Sequence, residues 1–191
     1  MNAGEDPGWR PALRPIWRLF IPWFGWFGIF PSKRRLDLVG LRRRFIHMGV
    51  ALVEFSIVIP STFEEPRDAD LAWLILGVGA AGCIGGLIWS TKSRWRGSRS
   101  SPDLNSDESV ANGFRVLSFL RLGLAAAPAL YGIAGSQLTE TAEVGFVGVV
   151  VSLALFAVFG PTRFRVDETQ ERLRVAGSRV SLRAALHETA S

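Results

Sequence analysis

The 191-residue sequence is poor in the side chains from which catalytic and metal sites are built. It contains one cysteine, Cys83, and two histidines, His47 and His187. A single cysteine excludes an intramolecular disulfide, and its place inside an apolar stretch favours a packing role. Two histidines are too few for a histidine-based metal cluster. The sequence also lacks a phosphate-binding glycine loop, a nucleophile elbow and a zincin helix. We therefore predict a protein that is not an enzyme and uses no cofactor.

Lysine is scarce as well, because only Lys33 and Lys92 stand among the 22 basic residues. Arginine suits contact with phosphate and anchoring at a membrane interface, although the base composition of a genome can produce the same bias. The pI near 10.6 is compatible with nucleic-acid binding. However, the basic residues flank apolar stretches, where lipid headgroups contact them. We predict contact with the anionic headgroups of a lipid bilayer and no binding to nucleic acid.

Four long apolar stretches cover about residues 45–63, 71–90, 116–135 and 144–160. At about 1.5 Å per residue, each is nearly long enough to cross about 30 Å of hydrocarbon. We predict an all-α, polytopic membrane protein whose domain, residues 45–161, is a bundle of four transmembrane helices. Residues 1–44 form a cytoplasmic N-terminal segment with an interfacial helix, and residues 162–191 form a cytoplasmic C-terminal tail. Since no other segment is apolar enough, we expect no second core.

The basic residues lie almost entirely on one side of these stretches. Nineteen of the 22 precede the first stretch, separate the second from the third, or follow the fourth. The connection after the first stretch has only Arg67, and the connection after the third has none. This bias predicts both termini and the loop of residues 91–113 in the cytoplasm, with two short acidic turns outside. We therefore predict a multi-pass protein of the cell membrane, inner or plasma.

The N-terminal segment interleaves tryptophan and phenylalanine with arginine and proline. Its apolar run, residues 19–31, is too short to cross a bilayer, and its prolines and glycines interrupt a long helix. Aromatic rings favour the headgroup region of a membrane. We predict a broken interfacial helix that begins near Pro15 and is anchored by Trp17, Trp23 and Trp26.

Two polar segments follow from composition. Residues 91–113 are rich in serine, glycine and charge, which predicts a mobile loop. In the C-terminal tail, Asp167 is a candidate N-cap and Gly177 a candidate residue after the C-cap. A short helix between them places Glu168 four residues before Arg172, a spacing that favours an ion pair.

The second apolar stretch carries small residues four positions apart. Gly77, Ala81 and Gly85 form one such row, and Gly82 with Gly86 forms another. In lipid, small residues let helix backbones approach closely. Two interpretations remain open: packing inside one bundle, which we favour, or contact with a partner subunit or a second copy.

The two halves of the membrane domain resemble each other. Each consists of an apolar stretch, an acidic turn and a second apolar stretch, and the first stretch of each half contains a proline, Pro60 or Pro128. Such halves are compatible with a duplication about an axis along the membrane normal. Two hairpins that pack independently are the alternative.

Glu54 is the most unusual residue of the first stretch. It lies about 13 Å from the start of that stretch, near the middle of the hydrocarbon. A lone carboxylate at this depth must be neutral, paired or exposed to water. Arg121 in the third stretch lies at a similar predicted depth, and we predict a Glu54–Arg121 ion pair. Alternatively, Arg121 extends to the cytoplasmic headgroups. His47, seven residues before Glu54, shares its helix face.

Residues 49–59, with the sequence GVALVEFSIVI, resemble the carboxylate-bearing helix of the proton-carrying c subunit of rotary ATP synthases. In that family the carboxylate lies on the second helix of a hairpin, whereas here it lies on the first. The resemblance implies that Glu54, with His47, could carry a proton or bind a cation.

These features predict a non-catalytic membrane protein rather than an enzyme. We expect a small subunit or scaffold that packs with itself or within a larger membrane complex. The alternative is a proton- or ion-coupled permeation component that uses Glu54.

Overall fold

The computed structural model describes residues 9–13, 37–58, 68–92 and 106–188. Within these ranges the chain is helical and has no strand, which confirms the all-helical prediction. The helices are α1 Arg10–Leu13, α2 Leu38–Val58, α3 Ala69–Lys92, α4 Asp107–Thr139, α5 Ala142–Phe159, α6 Arg163–Val175 and α7 Leu182–Glu188. The predicted anchors Trp17, Trp23 and Trp26, the helix start near Pro15, and Pro60 lie outside the described residues.

Three helices are long and apolar enough to cross a membrane: α3, α4 and α5. They correspond to the second, third and fourth predicted spans. The first predicted span is not confirmed. Its described part belongs to α2, which contains Arg42, Arg43 and Arg44 before the apolar run, and residues 59–63 lie outside the described ranges.

Helices α2, α3 and α4 begin where a side-chain oxygen accepts a free backbone N–H of the first turn. Asp37 accepts from the third residue of α2 at 2.6 Å, and Asp68 and Ser106 cap α3 and α4. Such caps satisfy donors that have no partner within the helix. The Ser106 cap explains why α4 starts at Asp107, so that residues 107–113 are helical rather than part of the predicted loop.

The connection between α4 and α5 is also shorter than predicted. Instead of a turn of eight residues, α4 continues to Thr139 and α5 begins at Ala142. Glu140 takes a left-handed conformation with φ of 56°, which reverses the chain within two residues. The two helices therefore form an antiparallel hairpin.

Helix α6 confirms one predicted boundary and corrects the other. Gly177, predicted after the C-cap, has φ of +86° and follows the C-cap Ala176. The N-cap is Thr162, whose hydroxyl accepts from the Arg165 N–H at 3.3 Å, and Asp167 lies inside the helix. Thr162 is the N-cap because the chain leaves α5 at Gly160 and Pro161 and begins α6 directly afterwards, before it reaches Asp167.

The α4–α5 hairpin is held by direct contact between backbones. A Cβ added at Gly132 would lie 2.7 Å from the Val144 carbonyl oxygen, and one at Gly148 would lie 2.6 Å from the Pro128 carbonyl oxygen. Real Cβ atoms do not approach that closely, so only glycine permits this separation. Close backbone packing is the main source of helix association in lipid, where burial of apolar surface adds little.

Ser152 of α5 forms hydrogen bonds with backbone groups of α4 next to a proline. Pro128 has no N–H and its ring disturbs the preceding turn, which frees neighbouring backbone groups from the helix ladder. The Ser152 hydroxyl accepts from the Ala129 N–H at 2.8 Å and contacts the Ala126 carbonyl oxygen at 3.4 Å. Because lipid offers no hydrogen bonds, a neighbouring helix must satisfy such groups.

Helix α2 packs on α5 of this hairpin, and helix α3 packs on α4. The rings of Phe45 and Phe156 meet edge to face at 5.8 Å, which joins α2 to α5. Gly135 of α4 lies against Ala72 of α3, with 3.4 Å from its added Cβ to the Ala72 carbonyl oxygen. The bundle core thus lies between α2, α4 and α5, and α3 contributes Leu87 to it.

One end of the bundle holds a second core, contrary to the sequence expectation. We call it the basic end; there α2 and α4 begin, α5 ends, and α6 and α7 pack. Its apolar side chains are Leu38, Leu41, Val110, Ala111, Phe114, Val166, Leu173, Val180, Leu182, Ala185 and Leu186. The tail contributes because spaced apolar residues of α6 and α7 meet the first turns of α2 and α4, although neither tail helix is apolar overall.

Several arginines at the basic end are buried rather than exposed. Arg42 is fully buried, and its Nε donates to the Pro161 carbonyl oxygen at 2.9 Å while its guanidinium lies 5.4 Å from the centre of the Trp9 ring. Arg44, Arg115 and Arg121 are at most 6% exposed. The positive charges that indicate topology are therefore also structural parts of this end.

We predict that Ser152→Ala lowers the free energy of unfolding by about 1–2 kcal/mol, because it leaves the Ala129 N–H without a partner in lipid. Ser136→Ala is the matched control, since the Ser136 hydroxyl is buried on α4 without a hydrogen bond among the described residues. Unfolding in mixed detergent micelles measures both. Equal losses in the two variants would contradict the role assigned to Ser152.

Candidate functional site

Glu54 lines a groove on the surface between α2 and α5. The groove measures about 490 Å³ and is otherwise apolar; its described walls are Trp9, Phe45, Ile46, Gly49, Val50, Val53, Glu54, Leu153, Phe156 and Ala157. Glu54 is the one charged residue among these walls and is half-buried. The arrangement presents a carboxylate to whatever occupies an apolar groove.

Glu54 and Arg121 do not meet. No hydrogen bond or ion pair joins them in the described part of the chain. Contacts with α5 give the relative depths of the two residues along the bundle. Gly49 of α2 lies beside Leu153, so Glu54 lies near the level of Gly148. Gly148 in turn touches Pro128 of α4. Arg121 is seven residues before Pro128, about 10 Å nearer the basic end.

The separation follows from how the helices are aligned along the bundle. The sequence prediction counted both depths along the chain, from Phe45 and from Phe114, whereas the depth of α4 is set by its contacts with α5 at Gly132 and Gly148. That alignment takes Arg121 to the basic end, where the charges of Arg165, Glu168 and Arg172 act on it.

His47 is not part of the Glu54 groove. It lies on α2 near the basic end, and it is not among the described residues that line the groove. Its Nδ1 is buried and has no hydrogen-bond partner among the described residues. The described residues therefore place no second titratable side chain beside Glu54 in the groove.

The small residues of α3 mostly face outward. Gly77, Ala81, Gly82 and Gly85 are exposed, and a Cβ added at any of these glycines meets no atom within 4 Å. Only Gly86 contacts the bundle, 3.3 Å from the Leu124 side chain. Packing within one bundle, the interpretation favoured from sequence, thus holds for one of the five residues. Sequence reasoning overlooked Gly79, whose contact is with the Tyr131 ring.

At the basic end, one carboxylate is shared by two arginines of α6. Glu168 contacts Arg165 at 2.7 Å and Arg172 at 2.6 Å, each through a different carboxylate oxygen. Arg172 also donates to the Thr91 carbonyl oxygen, and Arg165 Nε donates to the Val158 carbonyl oxygen at 3.2 Å. The predicted Glu168–Arg172 pair is present within α6. The two arginines that share Glu168 connect α6 to its neighbours, Arg172 to the end of α3 and Arg165 to the end of α5.

Glu168 titrates below its ordinary range. Burial by itself raises the pKa of Glu168, but the hydrogen bond from Arg165 and the charges of Arg172, Arg165 and Arg121 together lower it. Since the charged form is favoured in the folded protein, the pairing contributes stability above the unfolded-state pKa. That stability is lost as the pH falls through the lower, folded-state pKa.

We predict that the protein loses stability as the pH falls below about 4.3, and that Glu168→Gln removes part of this loss. Glu171→Gln is the matched control, because Glu171 pairs with Arg174 in a largely exposed position. Melting temperatures in detergent between pH 3 and pH 7 measure the effect. If the Glu168→Gln and wild-type profiles run parallel, Glu168 does not stabilise the fold by this linkage.

The described residues form an all-helical fold with three helices long and apolar enough to cross a membrane and with a basic, partly buried end, which is compatible with a helical membrane protein. Comparison of the chain with protein-family models, curated proteins and solved structures finds no match.

Proposed function

We propose that this protein is a non-catalytic subunit or scaffold of a complex in the cell membrane, and that the outward face of α3 contacts its partner. The observation that carries the proposal is the open row of Gly77, Ala81 and Gly85 on a helix long enough to span a bilayer. The partner is a membrane helix, from a second copy or from another subunit.

The argument compares two sets of small residues in the same molecule. Between α4 and α5, Gly132 and Gly148 bring two backbones into contact. On α3, similar residues leave an open strip, with exposed Leu74, Val78 and Ile88 beside it. In lipid, a strip of this shape gains little from facing acyl chains and gains dispersion contacts from a helix that fits it.

The proposed orientation follows from charge. Arginine and lysine concentrate at the basic end and in the segments connected to it, and such residues are retained in the cytoplasm. The two termini are then cytoplasmic, and the basic end lies at the headgroups of the inner leaflet. Anionic lipids are attracted to such a surface.

We predict that leucine at Gly77, Ala81 and Gly85 together reduces the complex to single chains of 21.0 kDa plus bound detergent. Native gel electrophoresis after mild-detergent extraction measures the assembly. Gly123→Leu is the matched control, because Gly123 is an exposed glycine of α4 with no atom within 4 Å of an added Cβ. A complex of unchanged size in the α3 variant would refute the proposed face.

Cysteine cross-linking separates the two possible partners. In a Cys83→Ser background, Ala81→Cys cross-links to itself if a second copy covers α3, whereas Val150→Cys on the exposed face of α5 does not. If another subunit is the partner, the Ala81→Cys variant forms no cross-link to itself.

A second candidate function, proton- or ion-coupled permeation, is favoured by the Glu54 carboxylate in its apolar groove. It predicts that Glu54→Gln abolishes proton flux into vesicles while the size of the complex is unchanged. If the protein is a scaffold, vesicles with wild-type protein and vesicles with Glu54→Gln both show the proton flux of empty vesicles. Flux through wild-type protein above that level would favour permeation over the scaffold.

A further inference from the structure

Arg121 is a buried cation without a partner in the described part of the chain. Its residue is 5% exposed, and its Nε lies buried with no hydrogen-bond acceptor. No ion pair or hydrogen bond from its guanidinium to a described residue is formed. A buried charge in this condition is costly, and it is retained where something else compensates it.

The surroundings of Arg121 leave positive charge in excess. The groups that act on it electrostatically are Arg165, Arg172 and Glu168, three guanidinium groups around one carboxylate when Arg121 is included. Both oxygens of Glu168 are already occupied, one by Arg165 and one by Arg172. The other contacts of these two arginines are uncharged: a carbonyl oxygen for each, and the Phe159 and Phe164 rings beside Arg165. The cluster therefore keeps a net charge of about +2.

We propose that Arg121, together with Arg165 and Arg172, binds a phosphate group at the basic end of the bundle. A guanidinium fork matches the geometry of phosphate oxygens and binds them by charge-assisted hydrogen bonds. The phosphate neutralises the excess charge and supplies the acceptor that the Arg121 Nε lacks.

Two sources can provide this phosphate: the headgroup of an anionic lipid, or a free phosphate ion. Arg121 lies about 10 Å closer to the basic end than Glu54, near where α5 ends and the chain leaves the apolar region. In the proposed orientation this level lies about 6 Å inside the basic end of α5, a distance that an arginine side chain can cover to reach the headgroup layer. This inference extends the proposed contact with anionic headgroups but is independent of the α3 face.

The test uses the full chain with Arg121→Met, which keeps the length of the side chain and removes its charge. In neutral detergent, we expect Arg121→Met to melt at or above the wild-type temperature, because an unpaired buried charge has been removed. Adding phosphatidylglycerol then raises the wild-type melting temperature by about 5 °C at about 100-fold excess over the Kd. Arg121→Met loses at least half of that rise.

Arg174→Met is the matched control, since Arg174 is 76% exposed and pairs with Glu171 at the far end of α6. It is expected to keep the full lipid-dependent rise. Arg121→Lys, which keeps the charge but loses the fork, is expected to keep only part of it. Equal rises in wild type and Arg121→Met would overturn the site, as would a failure of lipid and phosphate alike to stabilise the wild type.

Inorganic phosphate in neutral detergent distinguishes the two sources. If phosphate alone reproduces the rise in an Arg121-dependent way, the site takes the free ion. If only phosphatidylglycerol does, the site takes a lipid headgroup. If phosphatidylglycerol and phosphate each raise the melting temperature of wild type and of Arg121→Met equally, the effect is nonspecific screening of charge. That result contradicts the proposal.

Discussion

The contact between the backbones of α4 and α5 determines most of the other structure. Gly132 and Gly148 allow the two helices to approach until main-chain atoms touch, and Ser152 then reaches the backbone that Pro128 leaves unsatisfied. This contact sets the register of the hairpin. Because α2 packs on α5 through Phe45 and Gly49, the same register decides the relative depth of every charged group in the bundle. In lipid, where water does not drive helices together, such geometric fit is the main source of specificity.

The register divides the charges between two environments. Glu54 faces an apolar groove beside α5, whereas Arg121 lies among the arginines of α6. The basic end is therefore a structural unit as well. Arg42, Arg44, Arg115 and Arg121 are buried in it. Arg172 and Arg165, which share Glu168, connect α6 to the ends of α3 and α5. A second core of α2, α4, α6 and α7 supports these groups, so the tail belongs to the folded structure.

Much of the fold was predictable from local pattern. Apolar stretches of sufficient length predicted α3, α4 and α5, and Gly177 and the Glu168–Arg172 spacing predicted details of α6. The separation of Glu54 from Arg121 was not predictable, because apolar stretches do not reveal how neighbouring helices are aligned along the bundle. The contacts at Gly132 and Gly148 set that alignment for α4 and α5. The second core was also missed, since its tail residues are apolar only at spaced positions that become a surface when α6 and α7 pack together.

The sequence by itself determined that the protein is helical and that its basic residues concentrate in particular segments, and three of its four predicted spans are helices long and apolar enough to cross a membrane. Length and composition are sufficient for these conclusions, since an isolated helix must satisfy its own backbone in lipid. Only the tertiary structure decided which small residues are in contact and which are open, and which charges meet. These properties depend on the register and rotation of neighbouring helices, and one contact between glycines can change both without any change in hydrophobic pattern.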